Sequence, residues 1–260
     1  MIITAALCWW NETPEVLATC VRGAANVADR IVALDGAYRR YPGATVRSGD
    51  DEVEAIRETA KEVGLDCLVL QPQRLWAGQV EKRSYLLAAA AVGADWVAVI
   101  DADHVVYTNR AAARMEIESA SADTLIVPYW TPKNPSRSMK ESAPGLWHEA
   151  QAERWMDIPH IFRVLPGVRV ERFHWWYSAI KDRERVWLMG GDGRKYPTVE
   201  GYRLNTPYQV NHMCLMRTEA QVLASRAFCN DRAKVVKQTG QEDDIPGLEP
   251  LELDYKTRPE

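Results

Sequence analysis

The chain has 260 residues, of which 47% are hydrophobic and 26% charged, so it is long enough to bury a substantial core. A formal net charge of -4 leaves no excess of basic residues to neutralise phosphates, so we expect no nucleic-acid partner. No apolar stretch reaches the roughly 20 residues of a membrane-spanning helix. The apolar start lacks the basic segment of a signal peptide, and we therefore expect a cytoplasmic protein without an integral membrane segment.

The first half alternates short apolar runs with amphipathic segments, a pattern typical of a parallel sheet covered by helices. Gly64 and Gly93 each follow a helical segment and are expected at its C-terminal cap. Ligands of such sheets bind at the carboxyl ends of the strands. The predicted strands are 2–8, 30–34, 65–70 and 96–100, and the predicted helices are 14–28, 52–63 and 79–92.

The pattern changes after residue 123, where a strand over 124–130 leads into a polar loop over 133–144. We then predict a helix over 145–156, a hairpin over 161–179 that turns at Pro166 and Gly167, and a helix over 218–237. We interpret 1–237 as one α/β domain, with a ligand-binding half over 1–123 and a second half over 124–237. The remaining residues, 238–260, are acidic and contain prolines, as in a loosely held tail.

Two acids separated by one residue follow the fourth predicted strand, which is wholly apolar. Carboxylates at that position project into the crevice where open α/β sheets bind ligands. Magnesium and manganese prefer oxygen ligands and usually take one or two carboxylates, completed by phosphate oxygens and water. Asp101 and Asp103 therefore indicate a site for Mn²⁺ or Mg²⁺.

Four short motifs in the first half resemble those of glycosyltransferase family two and its GT-A relatives. A small residue, aromatic residues, Asn and Glu follow the first strand, an acid ends the second strand, and a basic pair lies on a helix ahead of the paired aspartates. All four occur in the order of that family, within residues 1–110. They are Cys8-Trp9-Trp10-Asn11-Glu12, Asp35, Glu81-Lys82-Arg83-Ser84-Tyr85 and Asp101-Ala102-Asp103.

The resemblance implies a GT-A fold, Rossmann-like and mostly parallel, with a nucleotide-sugar site. It implies that Trp10, or its neighbour Trp9, stacks on the uracil of a UDP-sugar and that Asp35 binds the base. Asp103 is the implied direct metal ligand. The implied nucleotide-sugar set is Trp9, Trp10, Asn11, Glu12, Asp35, Lys82, Arg83, Asp101 and Ala102, with Asp101 also a candidate metal ligand.

The second half resembles a subset of the same family through Ile161-Phe162-Arg163, Pro166-Gly167, His174-Trp175 and Asn211-His212. The resemblance makes His212 a candidate third metal ligand or diphosphate contact. An imidazole suits manganese when neutral and pairs with phosphate when protonated. Trp175 and Trp176 offer flat surfaces for the apolar face of an acceptor sugar.

Trp175 stands where a glutamate of that subset could deprotonate the acceptor hydroxyl. An inverting transfer needs such a base within hydrogen-bond reach of the attacking oxygen. We expect inversion, while a retaining mechanism stays open because it needs no such base. The candidate bases are His174, Asp192, Glu200, Glu171 and Asp157.

The sequence thus predicts a hexosyltransferase that moves a sugar from a UDP-sugar to an acceptor hydroxyl of a protein, glycan, lipid or small molecule. One alternative is a metal-dependent nucleotidyltransferase, although a glycine- and arginine-rich loop after the first strand is missing. The other is a catalytically inactive GT-A-like module that binds carbohydrate.

Overall fold

The computed structural model describes residues 1–132, 152–171, 177–189 and 201–212, together with Leu223, Ala227 and Phe228. Within them the helices are α1 (Pro14–Ala24), α2 (Asp50–Glu62), α3 (Gln79–Ala91) and α4 (Arg110–Ser119). The strands are β1 (Ile3–Cys8), β2 (Arg30–Leu34), β3 (Asp66–Leu70), β4 (Trp96–Asp101), β5 (His104–Thr108), β6 (Thr124–Pro132), β7 (Ala152–Arg163), β8 (Arg169–Val170), β9 (Tyr177–Lys181), β10 (Glu184–Met189), β11 (Tyr202–Arg203) and β12 (Tyr208–His212).

Local sequence signals set the helix ends. Before α1 and α4, the side chains of Thr13 and Asn109 accept hydrogen bonds from free backbone N–H groups of the first turn. Pro14 fits the first position of α1, where no N–H donor is needed. Gly64 and Gly93 follow α2 and α3 with φ of 73° and 65°, a left-handed conformation that glycine adopts without strain.

A nine-stranded sheet forms the centre of the molecule, in the order β3-β2-β1-β4-β7-β6-β12-β5, with β11 also paired to β6. The first four strands of this order are parallel, whereas β7 runs antiparallel to both β4 and β6. Strand β12 lies parallel to β6 and antiparallel to β5. The described residues thus form a mixed α/β fold with a Rossmann-like first half, as predicted, and the second half extends the same sheet.

Two apolar clusters cover the two faces of this sheet. One includes Leu17 of α1, Ile56 of α2 and Val106 of β5. The other includes Leu86 and Leu87 of α3, and the small sheet β10-β9-β8 packs into it. Apolar residues on both faces explain why β1 and β4 are uninterrupted hydrophobic runs instead of alternating ones.

Two predictions for the second half are wrong. Residues 152–156, predicted as part of a helix, belong to β7, since the chain there pairs with β6 over 129–132. Pro166 and Gly167 do form a turn, but β7 belongs to the large sheet and β8 to the small one, so no hairpin forms across them. The described hairpin joins β9 to β10 through Asp182 and Arg183, both with positive φ.

Within the residues that the structure describes, none of the helices is long and apolar enough to cross a membrane. The predicted loop over 133–144, most of the closing helix and the whole tail lie outside the described residues.

Candidate active site

Asp101 ends β4 in the middle of the large sheet, and side chains from three other elements hold it. Arg83 of α3 donates a hydrogen bond to Oδ1 at 2.5 Å. The Asp101 backbone N–H donates to Nδ1 of His104 on β5 at 3.4 Å, and its carbonyl accepts from the Cys20 thiol of α1 at 3.5 Å. These contacts fix the backbone and one carboxylate oxygen of Asp101.

The guanidinium of Arg83 is a buried cation facing this carboxylate. Burial alone would lower its pKa, but the nearby Asp101 and the Tyr177 hydroxyl outweigh burial and raise the pKa well above its ordinary value. Arg83 therefore stays charged. Its Nε is buried and has no hydrogen-bond partner among the described residues.

Asp103 and His104 lie immediately beyond Asp101, and both are buried. The Nε2 atom of His104 lies 3.9 Å from Asp103 Oδ1 and 4.0 Å from Asp101 Oδ2, too far for hydrogen bonds. The same Nε2 lies 3.2 Å from the hydroxyl of Tyr129 on β6. His104 thus contacts the backbone N–H of Asp101 and the hydroxyl of Tyr129, and it lies near the carboxylates of Asp101 and Asp103.

Glu12 adds a third acid near the pair. Burial and the negative charges of Asp103, Asp101 and Glu12 raise the pKa of the Cys20 thiol well above its ordinary value, so Cys20 remains a protonated donor to the Asp101 carbonyl. The same three charges create a negative potential around the turn. Such a potential favours a divalent cation.

The backbone of β12 brings His212 to this turn, because the strand register pairs His212 with His104. Its side chain lies outside what the structure describes. Among the described residues, no group of three or more histidine, cysteine, aspartate or glutamate side chains is arranged to hold a metal ion. Asp101 and Asp103 supply two carboxylates, the number that magnesium and manganese sites usually take from the protein.

Asp35 directly follows β2, and neighbouring backbone and side-chain groups bind its carboxylate. Its carboxylate is fully buried. Oδ1 accepts from the Gly36 N–H and the Ser48 hydroxyl, both at 2.6 Å, and Oδ2 accepts from the Ser48 N–H at 2.7 Å and Gln71 Nε2 at 3.0 Å. These four hydrogen bonds make Asp35 an anchor of the loop over 36–48, while its contact with a nucleotide base stays a prediction.

Lys82 and Trp9 are both buried within the protein, and their nucleotide contacts stay predictions. The buried Nζ of Lys82 donates to the carbonyls of Trp9 and Gly36, both at 2.6 Å, and so joins the ends of β1 and β2. Burial lowers the Lys82 pKa, and the charge of Asp35 partly restores it. The Trp9 side chain is 2% exposed and belongs to the apolar core.

Trp10, in the turn after β1, is partly exposed. Its Nε1 donates to Thr45 Oγ1 at 3.0 Å, and its ring meets that of Tyr41 edge to face at 4.8 Å between centroids. Phe228, from the segment predicted as the closing helix, stacks on Tyr38 at 5.1 Å. The loop that Asp35 anchors therefore forms an aromatic cluster with Trp10.

Asn11 adopts a positive φ of 51°, which asparagine tolerates better than most residues, and its N–H donates to Ser48 Oγ at 2.9 Å. The turn after β1 is thereby tied to the same anchored loop. Ala102, between the two acids, is buried.

The candidate bases remain unassigned. His174, Asp192 and Glu200, with the predicted acceptor residues Trp175 and Trp176, lie outside the described residues. Glu171 accepts from Ser178 and, at 3.0 Å, from Arg169; burial opposes these contacts, but together they lower its pKa. Asp157 lies 3.3 Å from Arg203. Because its lowered pKa keeps Glu171 in the charged form, Glu171 is a weak proton acceptor.

Sequence patterns did not identify His104, Cys20, Tyr129 or Tyr177 as site residues. His104 directly follows the paired acids, and that adjacency was the one available signal. The other three come from distant segments, and only the packing of α1, β6 and β9 around β4 brings them together.

No protein-family model and no curated protein sequence matches this chain. Among solved structures, the chain is similar to mannose-1-phosphate geranyltransferase from Thermus thermophilus, with a TM-score of 0.28 and 15% sequence identity. That match covers 92% of this chain and 64% of the other, so the chain spans less than two thirds of that protein. A likeness at this TM-score carries no argument about fold or function.

Proposed function

We propose that the chain is a GT-A glycosyltransferase that transfers a sugar from a UDP-sugar to an acceptor hydroxyl. The observation that carries the proposal is the acid pair at the carboxyl end of the central strand β4, with a buried arginine on one carboxylate. Open α/β sheets bind nucleotides at that edge. The motifs resembling family two converge on the same place.

Asp101 and Asp103, with His212 as a third candidate, would hold Mn²⁺ or Mg²⁺. The cation would neutralise the charge that develops on the departing diphosphate. The strand register that pairs His212 with His104 supports this third candidate. Water and diphosphate oxygens would complete the coordination shell.

Arg83 supports the same leaving group. It is already paired with Asp101, so its positive charge lies beside the acid pair. A guanidinium is always charged and suits phosphate oxygens. Arg83 therefore both orients Asp101 and adds positive charge on the diphosphate side.

Trp10 is the proposed platform for the base. Its ring is partly exposed, and Thr45 and Tyr41 hold it in place from the loop over 36–48. Asp35 contributes indirectly by anchoring that loop. Asn11, Glu12 and Ala102 complete the proposed binding site for the nucleotide-sugar donor.

The test is a calorimetric titration of UDP into wild type, Asp103→Ala and an exposed-acid control, Asp66→Ala, each with and without Mn²⁺. We expect wild type and the control to bind UDP only with the metal, and Asp103→Ala to lose that binding. Asp66 begins β3 at the opposite end of the sheet, so its loss changes net charge equally without touching the site.

UDP binding that ignores both the metal and Asp103 would contradict the proposal. Tight binding of a nucleoside triphosphate in place of UDP would favour the nucleotidyltransferase alternative. Metal-dependent UDP binding without hydrolysis or transfer to any acceptor would favour an inactive carbohydrate-binding module.

A further inference from the structure

One ring nitrogen of His104 contacts the backbone of the turn over 101–103, here called the acid turn. The other ring nitrogen contacts a buried hydroxyl. Its Nδ1 faces the Asp101 N–H at 3.4 Å, and its Nε2 faces Tyr129 Oη at 3.2 Å. The two rings also meet edge to face, with centroids 5.3 Å apart. His104 and Tyr129 are 4% and 5% exposed, so water competes little for these bonds.

The partners of the ring determine its tautomer. A backbone N–H can only donate, so Nδ1 must accept and carries no proton. In a neutral ring the proton then resides on Nε2, which donates to the Tyr129 oxygen. Neither nitrogen is left with a free lone pair for a cation.

We propose that His104 and Tyr129 are positioning residues that brace the turn of Asp101 and Asp103 for a divalent cation, and that His104 is not itself a metal ligand. This inference rests on the proposed function, because it presumes that the two acids bind a metal.

The contacts of His104 and Tyr129 add to those that Arg83 and Cys20 make with the acid turn. Arg83 fixes one carboxylate oxygen of Asp101, and Cys20 contacts its carbonyl. His104 takes the N–H of the same residue, and Tyr129 in turn fixes the orientation of the imidazole. Residues that orient metal ligands in this way typically change metal affinity about 10- to 100-fold when substituted.

The first experiment examines the ring in the metal-free protein. Long-range ¹H–¹⁵N NMR of histidine rings distinguishes a bare Nδ1 from a protonated one. We expect His104 to show a bare Nδ1 and a protonated Nε2, and to keep that pattern when Mg²⁺ is added. A proton on Nδ1, or the loss of the Nε2 proton on adding Mg²⁺, would overturn the inference.

The second experiment measures Mn²⁺ affinity, through the paramagnetic resonance signal of free Mn²⁺, in two matched pairs of variants. Tyr129→Phe removes only the bracing hydroxyl, while Tyr208→Phe removes a hydroxyl that is equally buried on β12. His104→Leu removes both ring contacts, while His104→Asn keeps an acceptor near the Asp101 N–H.

We expect Tyr129→Phe and His104→Leu to weaken Mn²⁺ binding about 10-fold, His104→Asn to recover part of the loss, and Tyr208→Phe to match wild type. Melting temperatures measured in parallel separate this pattern from general destabilisation. If wild type binds Mn²⁺ and all four variants bind it equally well, His104 and Tyr129 are not positioning residues, and the proposed function stands. If wild type itself does not bind Mn²⁺, the metal site of the proposed function fails.

Discussion

Acidic side chains stand at the carboxyl ends of both β2 and β4, yet their surroundings differ. Asp35 at the end of β2 is fully buried and accepts four hydrogen bonds from the protein. Asp101 at the end of β4 is also held, but its side chain is 25% exposed, and a second acid, Asp103, follows two residues later. Two acids at equivalent places in the sheet can therefore differ in how fully the protein satisfies them. In our proposal, the acid with fewer protein donors, Asp101, faces the ligand, and the saturated one, Asp35, organises a loop.

The largest expected effect tests the β4 acids. Asp103→Asn keeps the size of the side chain and removes its charge, so we expect Mn²⁺-dependent UDP affinity to fall by about 100-fold, or about 3 kcal/mol. Calorimetry with Asp66→Asn as control measures this. An Asp103→Asn protein with wild-type affinity would place the cation elsewhere.

The next effect tests the β2 acid and should appear in stability instead of affinity. Asp35→Asn retains one acceptor oxygen and turns an amide toward the donors of Ser48 or Gln71. We expect the free energy of unfolding to fall by about 2 to 3 kcal/mol, measured by urea denaturation at pH 7. UDP affinity of the folded variant should change only a few-fold. A stable variant that fails to bind UDP would indicate that Asp35 contacts the nucleotide base.

A smaller effect concerns Glu52, which caps α2 beside the Asp35 loop and is 6% exposed. Burial raises its pKa from 4.5 to about 7, although contacts from Ser48 and Gly49 oppose the rise. Ionising this acid in the folded state costs free energy, so its contribution to stability falls as pH rises from about 4.5 through 7. We expect Glu52→Gln to be about 1 kcal/mol more stable than wild type at pH 8.5 and to lose that advantage at pH 4.5. An advantage independent of pH would show that ionisation is not its source.

The smallest effect concerns Glu116 of α4, whose pKa is lowered, whereas that of Glu52 is raised. Its carboxylate accepts hydrogen bonds from Tyr202, Asn205 and Thr206, just before β12. Burial opposes them, but these bonds lower its pKa to about 2. The stabilisation is therefore complete above pH 4.5 and is lost as pH falls toward 2. Glu116→Gln should lower the melting temperature modestly at pH 7 and hardly at all near pH 2.5, in thermal scans at both values.

Much of the first half could be predicted because its signals are local. Thr13 with Pro14, Gly64 and Gly93 mark helix ends, and the apolar run from Trp96 to Ile100 marks a central strand. The order of these elements was enough to predict that the acid pair lies at the carboxyl ends of the parallel strands.

The second half was harder because tertiary pairing overrides local preference. The segment over 152–156 contains residues common in helices, yet it is a strand because β7 fills the space between β4 and β6. Strand β5 follows the acids so closely that it gave no separate signal. The roles of Asp35 and Lys82 depend on partners up to 73 residues away, which no local pattern specifies.

The position of β12 in the sheet has a consequence for the order in which the protein is completed during synthesis. Among the described strands, β5 pairs only with β12, and the register joins His104 to His212, about 100 residues later. On the ribosome, β2, β3 and β4 can each pair as they emerge, because β1 or β2 is already present, whereas β5 must wait for β12. Contacts of such long sequence separation form slowly. The acid turn between β4 and β5 should therefore acquire its final geometry late, and nascent chains that end before β12 should lack it even when the Rossmann-like half has folded.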